Sequence, residues 1–266
     1  MSTLRVTLIQ TELHWEDNQK NLNHFTDKIN SIQEETDLIV LPEMFTTGFT
    51  MNPEKNAEEQ GGAGFQWMKE MAAKRNSVLC GSIAVIENNC YYNRLYWVRP
   101  DGSSAHYDKH HLFRMAGEDK HYTAGNKNQV VELNGWKINL QVCYDLRFPV
   151  YSRNRWDKKN DLHANYDLMI YVANWPEVRS HPWKTLLLAR AIENQAFVVG
   201  VNRIGKDGNG IAHSGDSAAI NPRGEIVSTL SAHEDKIETI ELNLEELIQF
   251  RKQFPVGMDA DDFTLI

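Results

Sequence analysis

No apolar run in the 266-residue chain approaches the roughly 18 residues that a membrane helix needs, so no membrane span is predicted. The N-terminal Met1-Ser2-Thr3-Leu4-Arg5 enters a predicted strand directly and lacks the apolar stretch of a signal peptide. Cysteine is scarce. Three residues make an odd count without a dense framework, which fits free thiols in a reducing cytoplasm better than a disulfide scaffold. Positive charge is also short: 28 Lys and Arg face 36 Asp and Glu, and the net charge of −8 argues against a nucleic-acid partner. No Pro/Gly/Ser-rich linker or charge block divides the sequence, so residues 1–266 read as one domain, and a hydrophobic fraction of 41% is enough for a substantial core. Metal motifs are missing as well. His110 and His111 are adjacent, and on an extended segment they point to opposite sides. His106, His121, His163, His181, His213 and His233 show no ligand spacing such as His-x-x-x-His. Gly205, Gly208 and Gly210 do not form a dinucleotide fingerprint.

What is present centres on Cys143. In Lys137-Ile138-Asn139-Leu140-Gln141-Val142 apolar and polar residues alternate as in a half-buried strand, and the pattern breaks at Cys143-Tyr144-Asp145-Leu146-Arg147-Phe148-Pro149. A thiol at a strand exit sits where parallel and mixed sheets present reacting groups. At its ordinary pKa of about 8.5 it is only slightly ionised at neutral pH, so a nucleophilic role needs a base and a cation nearby. Two segments supply them. Asp37-Leu38-Ile39-Val40-Leu41-Pro42-Glu43 delivers a carboxylate at the end of an apolar run, and Tyr107-Asp108-Lys109-His110-His111 delivers an ammonium after a strand-like stretch. Each residue alone has a plainer reading: Cys143 as a small core residue, Glu43 as a loop charge, Lys109 as a surface lysine, Glu118 as a solvated acid. Cys80 and Cys90 lie in apolar strands without charged neighbours and read as structural.

Leu41-Pro42-Glu43, Lys109-His110-His111-Leu112-Phe113 and Cys143 to Pro149 resemble, in order and spacing, the three signature blocks of the nitrilase superfamily of carbon–nitrogen hydrolases. Ala189 to Gln195 followed by Ala196-Phe197-Val198-Val199 resembles that family's downstream helix and strand. Ser214 to Ser217 and Asn221 to Glu225 resemble its late strand and turn. Glu43 to Phe49 and Phe113 to Glu118 look most like the omega-amidase branch, whose members deamidate omega-amides of 2-oxo dicarboxylic acids.

The resemblance implies a four-layer α-β-β-α sandwich. It also implies Glu43 as general base and acid, Cys143 as nucleophile, Lys109 and the Tyr144 backbone N–H as oxyanion donors, and Glu118 as a brace for Lys109. No metal or organic cofactor is implied, because the leaving group needs only a proton. Candidate substrate-binding residues are Phe45, Arg147, Trp175 and Arg179. Arg147 reads first as the partner of a structural acid, and Arg179 as a ligand for a substrate carboxylate. A homodimer is implied, with the apolar tail 250–266 crossing to the partner. The alternatives are an aliphatic amidase, an N-carbamoyl amidase or a nitrilase on the same three residues, a papain-like hydrolase with a histidine base, and a binding protein with an idle site. Periodicity further predicts helices at 18–33, 65–75, 149–156, 182–194 and 243–252, late strands at 216–220, 225–230 and 236–241, and a hairpin turning at Asn134-Gly135.

Overall fold

In the strand Thr3–Gln10 (β1), Leu4, Val6 and Leu8 face one core and Ile9 faces another, so both faces of the strand are covered. The computed structural model describes residues 3–157 and 163–264 and arranges such strands in two main sheets. After β1 come α1 (Asn18–Asn30), β2 (Leu38–Val40), α2 (Ala63–Arg75), β3 (Val78–Glu87), β4 (Cys90–Val98) and β5 (Ser104–Asp108). The second half brings β6 (Gln129–Leu133), β7 (Trp136–Val142), β8 (Leu168–Ala173), α3 (Ser180–Asn194) and β9 (Phe197–Asn202). It ends with β10 (Ile204–Lys206), β11 (Ala212–Ser214), β12 (Ala218–Ile220), β13 (Lys236–Asn243) and α4 (Leu244–Gln253).

The first sheet runs β13-β1-β2-β3-β4-β5 and the second β12-β9-β8-β7-β6. β13 returns antiparallel to β1 in a register from Thr3↔Asn243 to Gln10↔Lys236. Leu4, Val6, Val40, Cys80 and Trp97 of the first sheet meet Ile138, Leu140, Val142 and Ile170 of the second in one continuous core. On the outer face of the first sheet, Phe25 and Ile29 of α1 and Met68 and Met71 of α2 cover Ile39 and Leu79. On the outer face of the second, α3 packs so closely that a Cβ at Gly200 would lie 2.7 Å from Leu187 Cδ1 and 2.9 Å from the Trp183 ring, an approach only glycine allows. This is the expected α-β-β-α layering.

The Asn134-Gly135 hairpin joins β6 to β7 with positive φ at both residues, as a two-residue primed turn requires. Two expectations fail. Residues 149–156 form no helix: beyond the 3₁₀ turn Cys143–Arg147 the chain makes turns and a short strand, Trp156–Asp157. Buried Asn154 holds that course with side-chain bonds to Tyr166 and Asn194, which compete with a helical ladder. Residues 225–230 form no strand beyond the bridge Ile220↔Ile226. There the Glu238 carboxylate, rather than a neighbouring backbone, accepts the Thr229 N–H at 2.8 Å, and Ile226 stays exposed. Of the C-terminal tail, Leu265 and Ile266 lie outside the described residues, as does the side chain of His163.

Candidate active site

Glu43, Lys109 and Cys143 come from three chain segments that end at the same place between the sheets. Glu43 follows β2 in a loop pinned to β3: Ser82 Oγ accepts the Met44 N–H at 2.8 Å and the Ser82 carbonyl accepts the Phe45 N–H at 3.0 Å. Lys109 follows β5, and Cys143 follows β7 as the first residue of the 3₁₀ turn Cys143–Arg147. Cys143 has φ of +44°, a conformation costly for a residue with a Cβ, so the turn must be held from outside. The fully buried Asp145 carboxylate holds it, accepting Val142 N–H at 3.1 Å, Tyr107 O–H at 2.8 Å, His111 N–H at 2.9 Å and His111 Nδ1 at 2.8 Å. Behind it, Arg190 of α3 donates to the Leu146 carbonyl at 2.5 Å.

The charged groups are dry. Glu43, Lys109 and Glu118 have no exposed surface, and Cys143 has 8%. Lys109 Nζ lies 2.9 Å from Glu43 Oε1 and 2.9 Å from Glu118 Oε2. Asn93 Nδ2 donates to Glu43 Oε1 at 2.8 Å, and the Asn174 N–H donates to Glu43 Oε2 at 2.8 Å. Glu118 is fixed further by the Phe113 N–H at 2.6 Å. Burial pushes the Lys109 ammonium toward a lower pKa, but Glu118 and Glu43 reverse this and leave it well above its ordinary value. Burial raises Glu118, opposed by Lys109. Burial and the facing Glu43 carboxylate, its hydrogen-bond partner, hold the Cys143 thiol well above its usual range.

Cys143 and Lys109 open onto a pocket of about 160 Å³, a scale for small metabolites and below the roughly 300 Å³ where drug-sized pockets begin. Phe49, Phe113, Trp175 and Ile211 form its apolar walls. Arg147 lies over the Trp175 ring at 5.0 Å; Arg179 lies over the Phe113 ring at 5.6 Å, with Nη2 2.9 Å from Met115 Sδ. Among the described residues neither guanidinium pairs with a carboxylate, so the structural acid considered for Arg147 is not found.

Trp175, Arg147, Arg179 and Tyr144 line the pocket. Phe45 does not. It is fully buried against Phe25 and Trp67 beneath the first sheet, because the residue after Met44 turns into the α1–α2 layer; Phe49, four residues later, reaches the pocket and the Lys109 ammonium at 5.0 Å. Cys80 is a core residue, as read. His110 and His111 are stacked on Tyr151 and Phe148. Sequence reasoning missed Asn93, Asn174 and the β10–β11 hairpin residues Asp207, Ile211 and His213. Asn174 carried a usable signal, since it directly follows the apolar run 168–173 as Cys143 follows β7.

The carbon-nitrogen hydrolase family model matches residues 5–252. The chain is a carbon–nitrogen hydrolase of the nitrilase superfamily. Its relatives include the omega-amidase YafV of Yersinia enterocolitica, 47% identical over the whole of both chains. A 2-oxoglutaramate amidase of Bacillus subtilis is 32% identical, with 96% of each covered. A CN-hydrolase superfamily protein of Xanthomonas campestris, solved with an arsenic adduct in its active site, superposes on this hydrolase with a TM-score of 0.96 at 40% identity, with both chains fully covered.

Proposed function

We propose that this hydrolase is an omega-amidase acting on the monoamides of 2-oxo dicarboxylic acids, such as 2-oxoglutaramate and 2-oxosuccinamate, through a thioester on Cys143. The observation that carries this reading is the pairing of one thiol–carboxylate–ammonium cluster with two arginines that have no acidic partner among the described residues. Such guanidiniums are free to take a substrate carboxylate, and Arg179, held among the described residues by a thioether and a ring face, gives up little in doing so. Glu43 takes the proton as Cys143 attacks the amide carbon. Lys109 and the Tyr144 N–H bear the oxyanion, a contribution of about 3 kcal/mol for one good donor. Glu43 then gives its proton to the departing ammonia and activates the water that cleaves the thioester. Glu118 keeps Lys109 charged and in place. No step calls for a metal or organic cofactor.

The 47% identity to an omega-amidase and the relative that acts on 2-oxoglutaramate support this branch over the aliphatic amidase, N-carbamoyl amidase and nitrilase readings. In the same reading the chain is one domain in a reducing cytoplasm, consistent with its three free cysteines. It forms a homodimer through its outer helices and C-terminal tail, where Ile192 and Phe254 are exposed. Ammonia release compared across oxo-acid amides, glutamine, simple amides, carbamoyl amino acids and nitriles tests the assignment. The oxo-acid amides should give the highest kcat/KM; preference for a nitrile or a carbamoyl amino acid would refute the branch.

A further inference from the structure

We infer that Asn174 grips the nitrogen of the scissile amide and steers the leaving group toward Glu43. The inference rests on the amidase reading above and adds a residue to it. Among the described residues, several buried side-chain atoms lack a hydrogen-bond partner, but only Asn174 Oδ1 and His213 Nδ1 belong to residues that line the pocket. Asn174 is 4% exposed. Its amide orientation is fixed by chemistry: Nδ2 donates to the Glu43 carbonyl, a group that only accepts, so Oδ1 faces the other way. The same residue's backbone N–H donates to Glu43 Oε2 at 2.8 Å. Asn174, a residue of the wall of the pocket that also holds Cys143, therefore keeps a buried acceptor without a partner among the described residues, next to the carboxylate that handles the proton.

A primary amide brings two N–H donors, and an acceptor placed here answers one of them. When the tetrahedral adduct collapses, the C–N bond breaks and its electron pair stays on nitrogen. The proton that Glu43 took from the thiol moves to that nitrogen, the thioester carbonyl reforms, and ammonia leaves. Nothing is oxidised or reduced. An N–H held by Asn174 Oδ1 orients nitrogen for this transfer. An ester of the same acyl group has no N–H at that position and gains nothing from the contact.

The test is the ratio of amide to ester hydrolysis for one acyl group. In Asn174→Ala, kcat/KM for the amide should fall at least 30-fold further than for the ester. Asn93→Ala, which removes a donor to Glu43 Oε1 from a residue that does not line the pocket, should lower both rates by one common factor. If Asn174→Ala does not fold, Asn174→Ser, too short to keep the acceptor in place, should show the same change in ratio. Equal losses on amide and ester would overturn the inference and leave Asn174 as a brace for Glu43 alone. Wild-type hydrolysis of the chosen amide checks the underlying reading separately.

Discussion

The Tyr107 hydroxyl donates to the buried Asp145 carboxylate at 2.8 Å, and this bond spans the two sheets. Tyr107 is two residues before Lys109, and Asp145 two after Cys143. The pair therefore ties the segment that carries the ammonium to the turn that carries the sulfur. Tyr107→Phe keeps the ring and removes the bond, leaving Asp145 with its Val142 and His111 donors. The expected result is a loss of about 1–2 kcal/mol of stability by chemical denaturation, and a kcat reduced several-fold with KM little changed. A variant with unchanged kcat would show that the two segments are held by other contacts.

Lys109 compensates two buried carboxylates, so its loss has two effects. Lys109→Met should lower kcat by orders of magnitude through the oxyanion. It should also cost about 3–5 kcal/mol of stability at neutral pH, because Glu43 and Glu118 are left without their cation. Without the ammonium nothing opposes the burial that already raises Glu118 above its ordinary value. The stability penalty is then largest at neutral pH and shrinks as pH falls toward 5. Urea melts of both proteins at pH 7 and pH 5 check this; a constant difference would contradict it.

His213 is buried beside the pocket, and burial, with Arg203 nearby, lowers its pKa to about 4. The unfolded chain takes up this proton near pH 6.5 and the folded chain only near 4. His213 therefore costs nothing above about pH 6.5, and stability is lost as pH falls from there toward 4. His213→Gln should remove about 2 kcal/mol of that acid sensitivity between pH 7 and pH 4.5. Identical pH–stability curves would show that the side chain is not held neutral.

Arg147 and Arg179, without an acidic partner among the described residues, separate in their effects on substrate binding. Arg179→Ala should raise KM for 2-oxoglutaramate by 10-fold or more while changing KM for a short neutral amide little, since only the former carries the distal carboxylate. Arg147→Ala is the comparison: its guanidinium lies over Trp175, so losing it also removes packing from the pocket wall. Equal effects of Arg179→Ala on both substrates would take that residue out of carboxylate recognition.

Glu43, Lys109 and Cys143 are legible in the sequence because each directly follows a strand-like segment: an apolar run for Glu43, the stretch 104–108 for Lys109 and an alternating segment for Cys143. Glu118 is not legible on such grounds: it lies on a four-residue helix, and only the family's blocks pointed to it. Phe45 shows the limit of reading a motif as a unit, since a chain turning at Met44, with φ of +43°, sends neighbours in opposite directions. The layered fold follows from strands covered on both faces, as in β1, whereas the irregular course of 149–156 depends on Asn154 finding Tyr166 and Asn194. The hairpin carrying Asp207 and His213 gave no periodic signal, because its strands have three residues each.

The thioester mechanism stands on Cys143, and the most direct measurement is ammonia release by Cys143→Ala beside Cys80→Ala and Cys90→Ala, with 2-oxoglutaramate as substrate. Cys143→Ala should fold with the wild-type circular dichroism spectrum and release no ammonia above background, while the other two variants should retain nearly full turnover. Substantial ammonia release by folded Cys143→Ala would contradict the mechanism.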